Sequence, residues 1–372
     1  MTSISLQVVP TTETTRRSLR STMISKPSTS TALTPESEPN APLLPGASVG
    51  DIVTVRLTLT PENGFVPENL FDSSGTISFV LGWGNYLPAI HELVTGMKVG
   101  DHVENLSIDA GFGKRNSDMV IEVPKSNLKK IKTMDKIVEG ATLNLQGDIH
   151  VLVVKVTKDT IVVDANHPLA GSSYSCSLTV LSIDRMPTNK LEYTDIQDKE
   201  SQEESPFEIA TFAMGCFWGV ELAFMRTPGV VGTRAGYTQG VVADPSYQEV
   251  CQGETKHREA VLVVYDSRVV SYERLLAVYS ERLIATASQY KIDLFKEEDE
   301  ESLQYKHGIY FHNNEQRRLA EEFLASNVHR YEEVEVLKSA VFYEAEEEHQ
   351  QYLYKGGQAS RKNARETIRC YG

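Results

Sequence analysis

The patterning of the chain breaks at residues 186–206, and that break limits the fold more than any other feature. The segment contains TNKLEYTDIQDKESQEES, which is charged, mostly acidic and almost free of large apolar side chains. A stretch of this kind has little apolar surface to bury and reads as a solvated linker between domains. Upstream, residues 49–185 read mainly as strands. VTVRLTLT (53–60) alternates apolar and polar residues, as a half-buried strand does. HVLVVKV (150–156), TIVVDAN (160–166) and SLTVLSI (177–183) are rich in β-branched residues. YLPAIHELVTG (86–96) fits a short helix, with Leu87, Ile90 and Val94 on one face. The spacing predicts an antiparallel barrel or open sheet wrapped on one helix. Downstream, residues 207–372 alternate strands (207–215 and 259–266) with helices (about 217–226, 271–283 and 315–327), so an α/β or α+β domain is expected. The chain as a whole reads as α+β with two domains.

Residues 1–48 are rich in Ser, Thr and Pro, carry Arg16, Arg17 and Arg20, and lack hydrophobic periodicity. They read either as a disordered tail or as an organelle transit segment. The expected location is therefore the cytoplasm, or an organelle if the segment is a transit peptide. No apolar run approaches the roughly 18–20 residues that span a bilayer. A formal net charge of −14 argues against nucleic acid as the main partner, because phosphate binding needs a basic face. Cys176, Cys216, Cys251 and Cys370 are widely spread, with no CxxC pair and no zinc spacing. The chain is not a secreted disulfide scaffold, and its cysteines are either buried or reactive.

Cys216 stands out. In ATFAMGCFWGVE a strand ends at Gly215 and the chain turns into a helix at the cysteine. There the thiolate would meet unpaired backbone N–H groups and the positive end of the helix dipole, which lower a cysteine pKa from its ordinary value of about 8.5. The plainer alternative is a buried structural cysteine. Phe217 and Trp218 follow at once and provide either an apolar wall for a thioether methyl or two ordinary core residues.

GCFWGVE, TPGVVGTRAGYTQG (227–240), DPSYQEVCQGETKHREAV (244–261), HQQYL (349–353) and the terminal IRCYG (368–372) together resemble the A-type methionine sulfoxide reductases, collinearly over 207–372. The resemblance implies an α/β two-layer sandwich and a set of roles. Cys216 attacks the sulfoxide sulfur. Glu259 protonates the departing oxygen, Tyr247 and Tyr305 donate hydrogen bonds to it, and Phe217 and Trp218 hold the substrate methyl. Cys370 resolves the resulting sulfenic acid to a disulfide, which a thioredoxin-like dithiol then reduces. No bound cofactor is implied. Cys251 also matches a family position and reads as structural.

The sequence departs from the family in three places. Ala364 stands where plant-type tails carry a further cysteine, which implies a single resolving step. In KEEDEESLQYKHG (296–308), Glu300 replaces an aspartate and Leu303 replaces the threonine before Gln304. ERLIATASQY (281–290) lacks the usual His-Asp-Pro-Thr stretch.

The other half resembles FKBP-type peptidyl-prolyl isomerases over about 50–185. The resemblance rests on NLFDSSGTISFVLGWGNYLPAIHELVTGMKVGDHVENLSIDAGFG (69–113), VIEVPKS (120–126) and VVDANHPLAG (162–171), the last two pointing to the SlyD-like subgroup with an inserted flap. Asp72, Phe79, Leu87, Ile90 and Phe112 fall at pocket positions. Several family aromatics are replaced: Leu57 and Phe112 stand for tyrosines, Ile90 for a tryptophan and a position near Cys176 for a phenylalanine. His167 reads as a turn residue. The histidine-rich metal tail of some relatives is absent, so no metal site is expected.

The leading reading is a two-domain repair enzyme. Its first domain would isomerise prolines or grip oxidised or unfolded chains, and its second would reduce methionine-S-sulfoxide within them. A second reading makes the chain a redox-regulated chaperone or isomerase whose reductase half is a sensor. A third is an interaction protein built of two inactive folds.

Overall fold

The computed structural model describes residues 46–63, 70–128, 139, 142–145, 149–186, 205–290, 300–326 and 334–369. Most of the acidic segment 186–206, all but three residues of 1–48, residues 291–299 and Cys370 lie outside the described residues.

The first half is built on an open antiparallel sheet in the order β2-β1-β8-β3, formed by β1 (Ile52–Asn63), β2 (Ser74–Val80), β3 (His102–Asp109) and β8 (Ser173–Asp184). The alternation in β1 is translated directly. Val53, Val55, Leu57 and Leu59 face the core, while Arg56, Thr58 and Thr60 face out. β8 repeats the pattern with Tyr174, Cys176, Leu178 and Val180 inward. The helix α1 (Pro88–Val94) starts on a proline whose missing N–H costs a first turn nothing. It lays Ile90 and Val94 on this core. A second small sheet, β4-β7-β6-β5, comes from β4 (Val120–Pro124), β5 (Thr142–Leu145), β6 (Ile149–Val156) and β7 (Thr160–Asp164). It is inserted between β3 and β8 and has its own small core of Val151, Val153, Ile161 and Val163.

The second half carries a six-stranded sheet in the order β13-β12-β9-β11-β10-β14. Its strands are β9 (Phe207–Ala213), β10 (Val230–Thr238), β11 (Arg258–Asp266), β12 (Gly308–Phe311), β13 (Glu335–Lys338) and β14 (Tyr343–Glu344). β12 and β13 are parallel and every other pair is antiparallel. β11 is buried on both faces, which explains why EAVLVVYD is a continuous apolar run. On one face Ala210, Phe212, Val261 and Val263 pack against α2 (Phe217–Met225) and α4 (Tyr272–Tyr290), while α5 (Asn314–Ala325) adds Ala320 to the same core. Two shorter helices, α3 (Tyr247–Cys251) and α6 (Tyr352–Lys355), frame the end where α2 begins.

The opposite face of that sheet is not left to solvent. Ile209, Ala260, Leu262 and Val264 share a buried cluster with Ile52 of β1 and Val80 of β2. The two halves thus pack as one compact unit. Gly232 of β10 permits the approach, since a Cβ there would fall 2.5 Å from Val80 Cγ2 and 3.0 Å from the Trp83 ring. Asn85 donates to Thr233 Oγ1 at 2.8 Å and accepts from Thr233 N at 3.2 Å. Arg234 lies 5.1 Å from the centre of the Trp83 ring. No helix among the described residues is long and apolar enough to cross a membrane.

Candidate active site

Cys216 occupies the N-cap of α2, reached through Gly215, whose φ of +74° suits a residue without a Cβ. The half-buried thiol therefore sits where the first-turn N–H groups concentrate positive potential. One of those groups is already engaged. Phe217 N donates to Glu259 Oε2 at 3.1 Å, so the carboxylate is held one residue from the cysteine. Glu259 itself is buried in β11, opposite Tyr237 of β10.

Tyr247 and Tyr305 complete the cluster. Tyr247 begins α3, whose capping box closes on Ser246 and Glu249. Its backbone N–H donates to Glu346 Oε1 at 2.8 Å, and Tyr237 donates its hydroxyl to Glu346 Oε2 at 2.9 Å, so one carboxylate fixes both tyrosines. Burial raises the Tyr247 hydroxyl above its ordinary pKa, and a hydrogen bond with Cys251 and the charge of Glu259 add to the shift. Tyr305 ends a short 3-10 turn, Glu300–Tyr305, and stays 37% exposed. Burial of its hydroxyl, then the charges of Glu259 and Cys216, push its pKa up to about 12. Both phenols are therefore protonated donors at neutral pH, and both feel the Glu259 charge.

An aromatic wall stands beside this polar cluster. Trp218 stacks on Tyr352 with centroids 4.0 Å apart, and His349 lies 5.9 Å from Trp218, 5.6 Å from Phe217 and 4.5 Å from Tyr247. Phe217 is fully buried, while Trp218 is half-exposed and forms the accessible part of the wall. Burial lowers the His349 pKa, which keeps the ring neutral and apolar at pH 7. His349, Tyr352 and Glu346 received no role from sequence, although two of them lie in the HQQYL motif. Cys251, read from sequence as structural, is exposed at the end of α3.

The arrangement suits reduction of a soft, polarised S–O group. A thiol, a buried carboxyl and two protonated phenols are grouped beside an apolar wall. Among the described residues, no group of three or more His, Cys, Asp or Glu side chains is placed to hold a metal ion.

Residues 208–369 match the family model for peptide methionine sulfoxide reductase. Peptide methionine sulfoxide reductase A3 of Arabidopsis thaliana is 46% identical over 173 residues, 44% of this chain and 83% of that protein. The peptide methionine sulfoxide reductase of Solanum lycopersicum is 41% identical over 184 residues, 47% of this chain and 91% of that protein. This chain belongs to the peptide methionine sulfoxide reductase family. Among solved structures, methionine sulfoxide reductase A of Corynebacterium diphtheriae matches at 30% identity and a TM-score of 0.32, covering 41% of this chain and 76% of that one.

The reductase is fused to a second module. Residues 45–128 match the family model for FKBP-type peptidyl-prolyl cis-trans isomerase. Phe79, Leu87 and Ile90 of its expected pocket share one buried apolar cluster, with Phe112 packed against it. Leu87 and Ile90 are fully buried in the hydrophobic core, as are Leu57 and Cys176, whose thiol burial pushes up to about 11. Phe79 is also buried, stacked on Tyr86, and the Tyr86 hydroxyl donates to the Asp72 carbonyl. Phe112 packs at the edge of the same cluster. It stacks on His167 with centroids 3.7 Å apart and meets Tyr354 of α6 edge-on. His167 belongs to a turn, where Nδ1 accepts from Leu169 N at 3.1 Å.

Proposed function

We propose that this reductase acts on methionine-S-sulfoxide in proteins through Cys216. The Cys216 thiolate attacks the sulfoxide sulfur while Glu259 delivers a proton to the oxygen and Tyr247 and Tyr305 hydrogen-bond to it. Phe217 and Trp218 border the substrate methyl. Methionine leaves and Cys216 becomes a sulfenic acid. The Cys370 thiol displaces the hydroxyl as water, giving a Cys216–Cys370 disulfide that a thioredoxin-like dithiol reduces. The FKBP-type module supplies prolyl isomerisation or a grip on oxidised and unfolded chains, which raises the local concentration of substrate. The enzyme works in the cytoplasm, or in an organelle if residues 1–48 act as a transit segment.

The observation that carries this reading is the contact between Glu259 and the N-terminus of α2, one residue from Cys216, within electrostatic reach of both tyrosines. The test is turnover of a methionine-S-sulfoxide peptide with dithiothreitol by the wild-type chain and Cys216→Ser. Product from wild type and none from the variant is the expected result. Equal product from both would exclude Cys216 as the nucleophile.

A further inference from the structure

The aromatic wall depends on a helix too short to hold itself. α6 is a single turn, entered at Gln351 with a φ of +48° and no side-chain cap. A turn of that length has too few hydrogen bonds to offset the entropy of forming it, so packing has to fix Tyr352 against Trp218. From within the reductase half, Gln351 N donates to Glu221 Oε2 at 2.7 Å and Gln351 Nε2 donates to Glu221 Oε1 at 3.1 Å, which ties the start of α6 to α2. Behind α6, Gln358 Nε2 donates to Arg369 O at 2.7 Å and Arg369 N donates to Gln358 Oε1 at 3.1 Å, closing residues 358–369 into a loop. That loop is seated between the halves. Ser360 N and Oγ donate to Leu70 O, Lys362 N donates to Asp72 Oδ2, and the Lys362 ammonium donates to Met225 O and Val230 O.

α6 itself is braced from the other half of the chain. Phe112 and His167 lie where the backbone enters and leaves the inserted sheet, after β3 and after β7, and Gly171 N donates to Gly113 O at 2.8 Å across that neck. Their stacked rings both meet Tyr354 edge-on, with centroids 6.0 Å away from Phe112 and 6.2 Å from His167. His167 Nδ1 accepts from Leu169 N, so the neutral ring carries its proton on Nε2, which donates to Tyr354 O at 3.3 Å. Burial lowers the His167 pKa to about 4 and keeps the ring in that neutral form. Just beyond α6, Gly357 turns at a φ of +89° where a Cβ would fall 3.0 Å from Pro168 Cδ. Phe112 and Trp218 both pack against the buried cluster of Leu222, Met225, Leu353 and Tyr354. One apolar cluster thus runs from the neck of the inserted sheet, through α6, to the aromatic wall.

We propose that Phe112 and His167 are positioning residues for sulfoxide binding, holding α6 from outside the reductase half so that Tyr352 stays stacked on Trp218. The proposal rests on the reading of Trp218 as a surface that takes the substrate methyl. Phe112 and His167 act through Tyr354 and Tyr352, not on the reacting atoms. Their loss therefore weakens the hold on substrate and leaves the chemistry at Cys216 and Glu259 as it is, which raises KM and spares kcat.

The test measures kcat and KM of the full-length chain for a methionine-S-sulfoxide peptide, with dithiothreitol as reductant and a thermal melt on every variant. Phe112→Leu, which keeps apolar bulk but no ring, and His167→Ala are each expected to raise KM about tenfold, the scale of one aromatic contact, with kcat at the wild-type value. Phe112→Tyr keeps the ring and His167→Gln keeps an N–H donor for Tyr354 O, and both are expected to restore KM. Lys362→Glu unseats the loop behind α6 without touching either residue and is expected to keep the wild-type KM. Wild-type KM in both Phe112→Leu and His167→Ala overturns the proposal. An equal rise in Lys362→Glu also overturns it, since the effect is then a general loosening between the halves. So does a loss of kcat that follows the loss of folded protein, which marks a merely structural role. Trp218→Ala separates the proposal from the reading beneath it. Wild-type KM in that variant removes Trp218 from substrate binding and the proposal falls with it, whereas a raised KM there with no change at Phe112 and His167 sinks the proposal alone.

Discussion

Glu259 and Asp72 are the carboxylates of two clefts in one chain, and their surroundings differ in kind. Glu259 is buried but faces outward chemistry. Its neighbours are a part-buried thiol, two phenols and an indole; Phe217 N of α2 donates to Glu259 and Tyr247 N of α3 donates to Glu346. Asp72 faces inward. The aromatic residues beside it stack on one another, and the remaining opening is filled by Ser360 and Lys362 of the same chain. A cleft kept open needs polar groups that converge on an absent partner. A cleft that has become an interface satisfies its polar groups internally.

The largest effect expected from this contrast is at Glu259. Glu259→Gln retains an oxygen that accepts from Phe217 N–H, so the fold is preserved, but it removes the transferable proton. Methionine formation is expected to fall about 10²–10⁴-fold, whereas Asp72→Ala leaves that step intact. Next come Tyr247→Phe and Tyr305→Phe. Each removes one donor to the developing oxyanion while the other remains, and each is expected to cost roughly 10–10² in turnover, below the ~10²–10³ of an unshared donor. On the other side of the comparison, Lys362→Glu replaces the ammonium that donates to Met225 O and Val230 O with a carboxylate that those carbonyls and the nearby Asp72 charge repel, and unseats the loop. Isomerisation of a Phe-Pro peptide by the intact chain is then expected to rise several-fold over wild type, measured by a coupled protease assay. Gly232→Ala drives a methyl into Val80 and Trp83 and is expected to destabilise the chain by about 1–3 kcal/mol. The effect is read as a lowered melting temperature, with turnover per folded molecule unchanged.

The smallest effect is a pH dependence. Burial of the Lys362 ammonium lowers its pKa from 10.5 to about 8, with the Asp72 charge acting in the opposite sense. The unseated loop therefore binds more protons than the seated one between about pH 8 and 10.5, so seating strengthens as pH rises through that window. Tryptic cleavage after Arg361 and Arg365, compared with a peptide of the same sequence, is expected to slow between pH 8 and 9.5.

Much of this was legible in the sequence. The strands at 53–60, 150–156, 160–166 and 177–183 appear as β1, β6, β7 and β8 because alternation and β-branching report directly on a pleated, half-buried surface. The turn from Gly215 into α2 was visible because a helix needs a start signal. β10 was not visible, because VVGTRAGYT carries two glycines and a charge that mask its strand character. The joining of the two halves was hidden for a different reason. Ile52 and Val80 look like any strand residue, and nothing in a pattern names the surface they will meet. The seat of residues 358–369 was hidden most completely. KGGQASRKNARETIRCYG reads as a loose polar tail, yet it is anchored through backbone carbonyls at Leu70, Met225 and Val230, and such acceptors have no signature in residue type. His349 and Tyr352 lay in a motif that was in view, but only the packing on Trp218 gives them a place in the site.

The most direct test of the contrast between the clefts is to assay one preparation of the intact, reduced chain for both chemistries, with Cys216→Ser alongside. The account predicts that wild type reduces a methionine-S-sulfoxide peptide, that the variant does not, and that both leave a Phe-Pro peptide isomerising near its uncatalysed rate while the loop is seated. Fast prolyl isomerisation by the intact chain, with sulfoxide reduction indifferent to Cys216, would contradict it.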